Sequence, residues 1–462
     1  MINWSLKIKE LREKAFLTQE DLASILGVAF VTVNRWENGH CEPTMKAKRD
    51  LSKLLRKNNI KLEDWKMDNY VFIGDNLQTM EAEPFHKFYG KVNFIYIDPP
   101  YNTKNSFSYN DNNDEWTNDI LLRLQTARRI MSKQGVIFIS IDDSELSNLL
   151  YLGYKVFGKE NYVGLFITKQ AVRSNAKHIN TIHEYVVTFC KDKKSLPKFY
   201  INRLEDPSER DEILNIINKV KRARAKGQDE AEKLLKKMID DYVLKTGLTW
   251  IRNYSNVDEE GNIYFAKDLS TPGKPCRLDI DEIGLHLEPL KTRGWSSKEK
   301  ILKLHHEGRL VYKKGRPYVI EYLSEAVNNV ASILDFYSRQ GTNDLKKLGL
   351  DGLFDTPKPV ELIKFLIRCS QHENSTILDF YAGSGTTGQA VYEINREDNM
   401  NHNYILIQLD EVMNENTEPY EIMTKLGYNN PKVSEAMLHR LDTYLKSIGK
   451  DRDYIVEEKI YG

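Results

Sequence analysis

The sequence predicts an α/β fold built on an open, largely parallel sheet with both faces covered. Short runs of β-branched and aromatic residues at Phe94 to Ile97, Val136 to Ile141 and Tyr404 to Leu409 read as strands buried on both sides. A further strand, Ile377-Leu378-Asp379, runs straight into Phe380-Tyr381-Ala382-Gly383-Ser384-Gly385-Thr386-Thr387-Gly388. Such a glycine-rich turn lets backbone approach a ligand, and the helix expected from about Gln389 adds oriented N–H groups. The third observation is Asp98-Pro99-Pro100-Tyr101, which ends the Phe94 strand. Two prolines fix a rigid turn, so a carboxylate, a carbonyl and a phenol stand together at the carboxyl edge, where open α/β sheets bind ligands.

Bulk properties set the frame. A chain of 462 residues has room for two or three domains, and 67 basic against 67 acidic side chains give a formal net charge of zero. A balanced total leaves nucleic acid open as a partner, because binding depends on local basic patches. Cys41, Cys190, Cys276 and Cys369 lack metal-ligand spacing, which predicts a reducing compartment and no metal site. No apolar run is long enough to span a bilayer or serve as a leader, so a soluble cytoplasmic protein without a membrane partner is expected.

Residues 1–66 read as a small all-α unit with its linker. Leu11, Leu17, Leu22, Ile25, Leu26, Val28 and Val33 supply its core, Thr18 caps a helix, and Gly27 ends it. The next helix, started by the segment from Ala29 to Gly39, completes a pattern that resembles the phage-repressor type of helix-turn-helix. That resemblance implies that Val31, Thr32, Asn34 and Arg35 face DNA. The unit is locally basic, with eleven Lys or Arg against seven Asp or Glu up to Ile60. A helical docking module is the alternative.

Residues 67–190 form one half of the sheet domain. Val71-Phe72-Ile73 is a strand followed by Gly74-Asp75, Lys104 to Glu115 is a polar loop, and Leu121 to Met131 is an amphipathic helix. Two strands are expected between Gly164 and Cys190. Residues 191–345 form an α+β region. It opens with a helical arm whose Ile213, Ile216, Ile217, Val220, Leu234, Leu235, Met238 and Ile239 recur at helical spacing. Beyond the arm, aromatic and basic residues alternate in a manner suited to DNA, with Arg252, Arg293 and Trp295 as contacts. Residues 346–462 hold the glycine turn and a terminal helix.

Asp98-Pro99-Pro100-Tyr101 resembles the catalytic motif of DNA amino-methyltransferases. The order of motifs, with the acidic proline turn first and the glycine turn last, resembles their β class. Tyr96 to Thr103, Arg293-Gly294-Trp295, Phe354 to Pro359 and Tyr404 to Gln408 are closest to modification subunits of type III restriction–modification systems. The resemblance implies a doubly wound Rossmann-like methyltransferase sheet that takes S-adenosylmethionine and acts on double-stranded DNA. It makes 191–345 the target-recognition region and places His183 and Tyr185 against a flipped base. It assigns Asp75, Asp98, Asn102, Thr103, Phe354, Thr356, Lys358, Asp379, Phe380, Gly383, Ser384, Gly385, Thr386, Thr387, Gln408 and Glu411 to the cofactor, Asp75 for its adenine amino group and Asp379 for its ammonium. Gln408 stands where many relatives carry an acid for the ribose. A homodimer is implied, and restriction would need a partner chain because no Gly-x4-Gly-Lys-Ser/Thr loop is present.

Asp98 and the Pro99 carbonyl accepting from an exocyclic amino group would favour a pyramidal nitrogen, with Pro100 rigidifying the turn and Tyr101 stacking on the flipped base. Aspartate in first place favours adenine N6; cytosine N4 is the alternative, and a non-catalytic DNA-binding regulator is the other. Gly383-x-Gly385-x-x-Gly388 also matches a dinucleotide fingerprint, but Asp379 before it suits an ammonium and argues against a nicotinamide enzyme.

Overall fold

The computed structural model describes residues 4–15, 17–28, 30–37, 43, 47, 51, 54–55, 68–102, 115–169, 178–204, 209–313 and 315–461. Contacts divide the chain into two compact units, Met67–Ile201 with Asn329–Gly462 and Met1–Lys66 with Asn202–Asn328.

In the first unit, nine strands among the described residues form one sheet: β1 (Asn69–Ile73), β2 (Val92–Ile97), β3 (Met131–Ile141), β4 (Tyr162–Lys169), β5 (His183–Cys190), β6 (Ile333–Tyr337), β7 (Thr376–Asp379), β8 (Asn403–Gln408) and β9 (Tyr454–Glu458). Their order is β6-β4-β5-β3-β2-β7-β8-β1-β9. Neighbours are parallel except where β5 runs against β3 and β4.

Alternation along each strand feeds two cores. Phe94, Tyr96, Phe138, Ile377, Tyr404 and Leu406 face one side, where the helices Val360–Cys369, Thr386–Glu397 and Val433–Ser447 pack. Ile95, Ile97, Ile137, Ile139, Leu378, Ile405 and Ile407 face the other, against Trp116–Ile130 and Leu146–Phe157. Strands buried on both faces need no polar side, which is why they read as unbroken apolar runs. Each fully buried branched or aromatic side chain contributes about 1.5–3 kcal/mol, so dozens of them outweigh the entropy of ordering the sheet.

Two boundaries differ from expectation. The helix after the glycine turn begins at Thr386, not near Gln389, because Gly385 at φ +75° already serves as its N-terminal flank. The stretch 329–345, expected in the middle region, carries β6, whose Ile333 and Leu334 pair with Ile167 and Thr168 of β4.

The second unit holds two separately cored parts. In the amino-terminal part, Trp4–Ala15, Gln19–Leu26 and Phe30–Glu37 are helices around Ile8, Leu11, Leu22, Val33 and Trp36. Thr18 Oγ1 accepts from the Asp21 N–H (3.0 Å) while Asp21 accepts from the Thr18 N–H (2.8 Å), a reciprocal cap. Ile25, expected in this core, is 52% exposed and faces outward. In the middle part, the helices Arg210–Arg224 and Gln228–Thr246 pack through Ile213, Val220, Leu235 and Ile239 beside a four-stranded antiparallel sheet. A second small core gathers Leu269, Ile280, Leu285, Trp295 and Ile301.

Candidate active site

Parallel pairing decides which side chains meet. Asp98 follows β2 and Asp379 ends β7, and these neighbouring strands pair Phe94 with Ile377 and Ile95 with Leu378. Both acids therefore stand at the same carboxyl edge, with Gln408 ending β8 and Asp75 just beyond β1. Because β5 is antiparallel, its amino end reaches that edge as well: Tyr185 sits opposite Ile141, the last residue of β3. Glu184 arrives at the edge by this reversal.

A cleft of about 440 Å³ opens there. Asp75, Asp98, Pro100, Phe354, Thr356, Lys358, Asp379, Phe380, Gly383, Ser384, Thr386, Thr387, Gln408 and Glu411 all line it. Two assigned residues do not. Asn102 turns away, its amide donating to Glu145 at 2.9 Å. Gly385 lies under the Val433–Ser447 helix, where a Cβ would meet Met437 at 3.0 Å, so its lack of a side chain serves packing. Thr103 and the polar loop from Lys104 to Asp114 lie outside the described residues.

At one end of the cleft, Lys358 Nζ is 3.2 Å from Asp98 Oδ1 and 3.0 Å from Glu184 Oε2, and it donates to the Tyr101 hydroxyl at 2.8 Å. Tyr101 in turn donates to Asp98 Oδ1 at 2.9 Å. One ammonium thus serves two half-buried or buried carboxylates. Burial opposes the charge on Lys358, but Asp98 and Glu184 outweigh it and hold the ammonium well above its ordinary range. Burial pushes the Asp98 carboxyl up, Lys358 pulls it back, Glu184 adds to the rise, and the balance stays above the usual carboxylate value. The Lys358 ammonium lies 5.0 Å from the Tyr101 ring centre, off the hydroxyl end of the ring. Behind the proline turn, the Trp116 indole donates to the Pro100 carbonyl at 2.7 Å, and Pro99 is buried.

At the other end, Asp379 is 3% exposed. Its Oδ2 accepts from Thr387 at 2.6 Å and its Oδ1 from the Tyr381 N–H at 3.1 Å. Burial pushes its pKa up to about 7 against these two bonds. No cation pairs with it among the described residues. Gln408, in the cleft lining, also braces the glycine turn: its Oε1 accepts from the Gly383 N–H at 2.7 Å. Asp75 caps the following helix through Gln78 (2.8 Å) and pairs with Arg123 at 3.0 Å. Arg123 also holds Asn76, which donates to the Phe380 carbonyl at 2.6 Å.

Sequence reasoning missed Glu184. His183 and Tyr185, chosen beside it, bond one another at 2.8 Å, and Tyr185 donates to Asp143 at 2.8 Å. Successive strand residues point to opposite faces, so Glu184 and its two neighbours cannot share one role. That alternation was the available signal.

Among the expected DNA contacts, Val31 is 62% exposed and Arg35 is exposed, whereas Thr32 and Asn34 are half-buried, with Asn34 donating to Gln19. Arg252 is exposed and pairs with Asp240 at 3.2 Å, and Arg293 is exposed and donates to the Ser270 carbonyl. Trp295 is corrected: it is buried in a core, and its indole donates to the Glu288 carbonyl at 3.0 Å.

Residues 92–418 match the N6/N4 DNA methylase family, and residues 8–65 match a helix-turn-helix family. The chain is 31% identical over 419 residues to the EcoPI Mod subunit of a type III restriction–modification enzyme from Escherichia phage P1, covering 80% of this chain and 61% of that protein. It is 27% identical to the EcoP15I Mod subunit of Escherichia coli, covering 79% and 62%. The type II methyltransferase M.KpnI of Klebsiella pneumoniae is 26% identical, covering 80% and 86%. The chain spans about three-fifths of the length of the two Mod relatives. With well over half of its residues matched by the family model, the chain belongs to the N6/N4 DNA methylase family.

Proposed function

We propose that this chain transfers a methyl group from S-adenosylmethionine to an exocyclic amino group of a base flipped out of double-stranded DNA, and that the acceptor is adenine N6. The observation that carries the reading is that Asp98, at the proline turn, and Asp379, at the glycine turn, open into one cleft. S-adenosylmethionine fits by charge: a buried carboxylate without a cation among the described residues is the partner an ammonium needs. Asp379 would hold that ammonium, Gly383 would let the chain approach closely, and Asp75 would reach the adenine amino group. When bound, the cofactor supplies an electrophilic methyl group on a sulfonium.

The chain supplies orientation. Lys358 and Tyr101 both contact Oδ1 of Asp98, which leaves Oδ2 and the Pro99 carbonyl to accept from the two amino protons. Accepting both protons favours a pyramidal nitrogen whose lone pair is localised. Rigid placement of that nitrogen lowers the barrier without a covalent intermediate. Lys358 sits at the hydroxyl end of Tyr101, so a base would stack on a face of the ring. An aspartate at position 98 supports adenine over cytosine.

We further read 191–345 as the target-recognition region and 1–66 as an added DNA-binding module. Likeness to Mod subunits supports a modification component acting with a restriction subunit on a separate chain, in homodimeric form. Asp98→Ala is expected to abolish transfer of a tritiated methyl group to DNA while S-adenosylmethionine still binds by calorimetry. Retained transfer overturns the mechanism. Nucleoside analysis of the wild-type product separates N6-methyladenine from N4-methylcytosine, and a product of the second kind overturns the choice of adenine.

A further inference from the structure

Behind the glycine turn lies a cation that no part of the mechanism uses. Arg440, on the Val433–Ser447 helix, is 0% exposed. Its Nη1 donates to the Ser384 carbonyl (3.2 Å), Ser384 Oγ (2.6 Å) and Thr386 Oγ1 (2.8 Å), and its Nη2 donates to Gln389 Oε1 (3.0 Å). Every one of these acceptors is neutral. Its Nε has no hydrogen-bond partner. Asp344 and Glu393 favour the charge from a distance, and neither bonds it. Burial pushes its pKa down only to about 10, so the guanidinium stays charged at neutral pH.

A buried charge facing only neutral partners is costly unless something else offsets it. Ser384 and Thr386, whose hydroxyls it contacts, line the cleft, and the two hydroxyls lie 3.0 Å apart. A hydroxyl has one proton and two lone pairs. Donation from Arg440 satisfies lone pairs on both oxygens and polarises both O–H groups as donors. Thr386 Oγ1 at present donates to the Lys358 carbonyl at 3.2 Å, and a carboxylate is a stronger acceptor than these neutral partners. The amino end of the Thr386–Glu397 helix, which no side chain caps, lies at the same place. Asp379 lies against the same turn, accepting from the Thr387 hydroxyl at 2.6 Å. A carboxylate and cation-backed donors on one turn match the two charges of an α-amino acid group.

We propose that Arg440 is a positioning residue that, through the hydroxyls of Ser384 and Thr386, makes this end of the cleft a receptor for the carboxylate of the cofactor's amino acid end. The inference rests on the S-adenosylmethionine reading above. The test is calorimetric titration of the full chain with S-adenosylmethionine and with decarboxylated S-adenosylmethionine, which lacks only the carboxylate. Wild type is expected to prefer the intact cofactor by on the order of tenfold, the worth of a charge-assisted hydrogen bond. Arg440→Met should erase that preference while binding the decarboxylated ligand within about twofold of wild type, and Arg440→Lys should keep most of it. Equal losses for both ligands, or a wild type without preference, overturn the inference and leave the cofactor reading standing. A wild type that binds neither ligand overturns both. Should circular dichroism show Arg440→Met unfolded, Ser384→Ala carries the same comparison: loss confined to the intact cofactor supports the receptor, and equal loss overturns it.

Discussion

Asp379 is a residue whose ordinary chemistry has been reversed by its surroundings. A free carboxyl titrates near 3.8, whereas here burial raises it to about 7. Between those values the folded chain binds a proton that the unfolded chain has released, so stability falls as pH rises toward 7 and the cost is fully present above it. Asp379→Asn removes that cost. The variant is expected to melt above wild type at pH 8, by about 4 kcal/mol at most, with the gain fading below pH 7 and vanishing near pH 4, as differential scanning calorimetry can measure. Saturating S-adenosylmethionine should narrow the gap at pH 8 if, as proposed, its ammonium pairs with the wild-type carboxylate. Asp379 was legible in the sequence because an acid immediately before a glycine turn has few structural reasons to be there. The Asp98–Lys358–Glu184 group was only partly legible. Lys358 was placed at the cofactor, and nothing in its local sequence says that it bonds Asp98, 260 positions away.

At the scale of elements, strand direction explains what sequence reading gained and lost. The apolar runs of β2, β3, β7 and β8 declared themselves, since strands covered on both faces carry no polar alternation. The reversal of β5 did not, because direction is fixed by pairing and not by composition; Glu184 was lost with it. A second element-level feature is the approach of the Arg339–Lys347 helix to the segment carrying Lys358. A Cβ on Gly341 would lie 1.8 Å from the Pro357 carbonyl oxygen and 2.9 Å from the Lys358 carbonyl carbon. Backbone on both sides cannot yield cheaply, so Gly341→Ala should push the Lys358 segment outward. The expected result is a loss of on the order of tenfold or more in methyl transfer with a smaller change in melting temperature, since misplacement of a reacting group is penalised more steeply than a local packing shift. Activity within twofold of wild type would show that the segment relaxes without moving Lys358.

For the whole molecule, zero net charge concealed a basic amino-terminal part, so only the local count made DNA a credible partner. Exposed Arg35 belongs to that part. Arg35→Ala is expected to weaken DNA affinity in mobility-shift titrations and to reduce the salt slope by about 1, with transfer unchanged at saturating DNA. An unaltered slope would remove residue 35 from the phosphate contacts. The middle region was the least legible, because short strands with mixed polarity obey no single period, and the aromatic residues that suggested DNA, Trp295 above all, turned out to fill its own small core. Its attachment is simpler than its interior. Where the chain leaves and re-enters the sheet domain, the Arg203 N–H donates to the Ala326 carbonyl at 2.9 Å and the Asn202 amide to the Ser324 carbonyl at 3.2 Å. Exit and return are thus stitched side by side, so the excursion between them can grow, shrink or be exchanged without altering the ladder that joins β2 to β7. A chain assembled this way can trade residues 202–328 as one cassette, while the sheet that carries the cleft stays as it was.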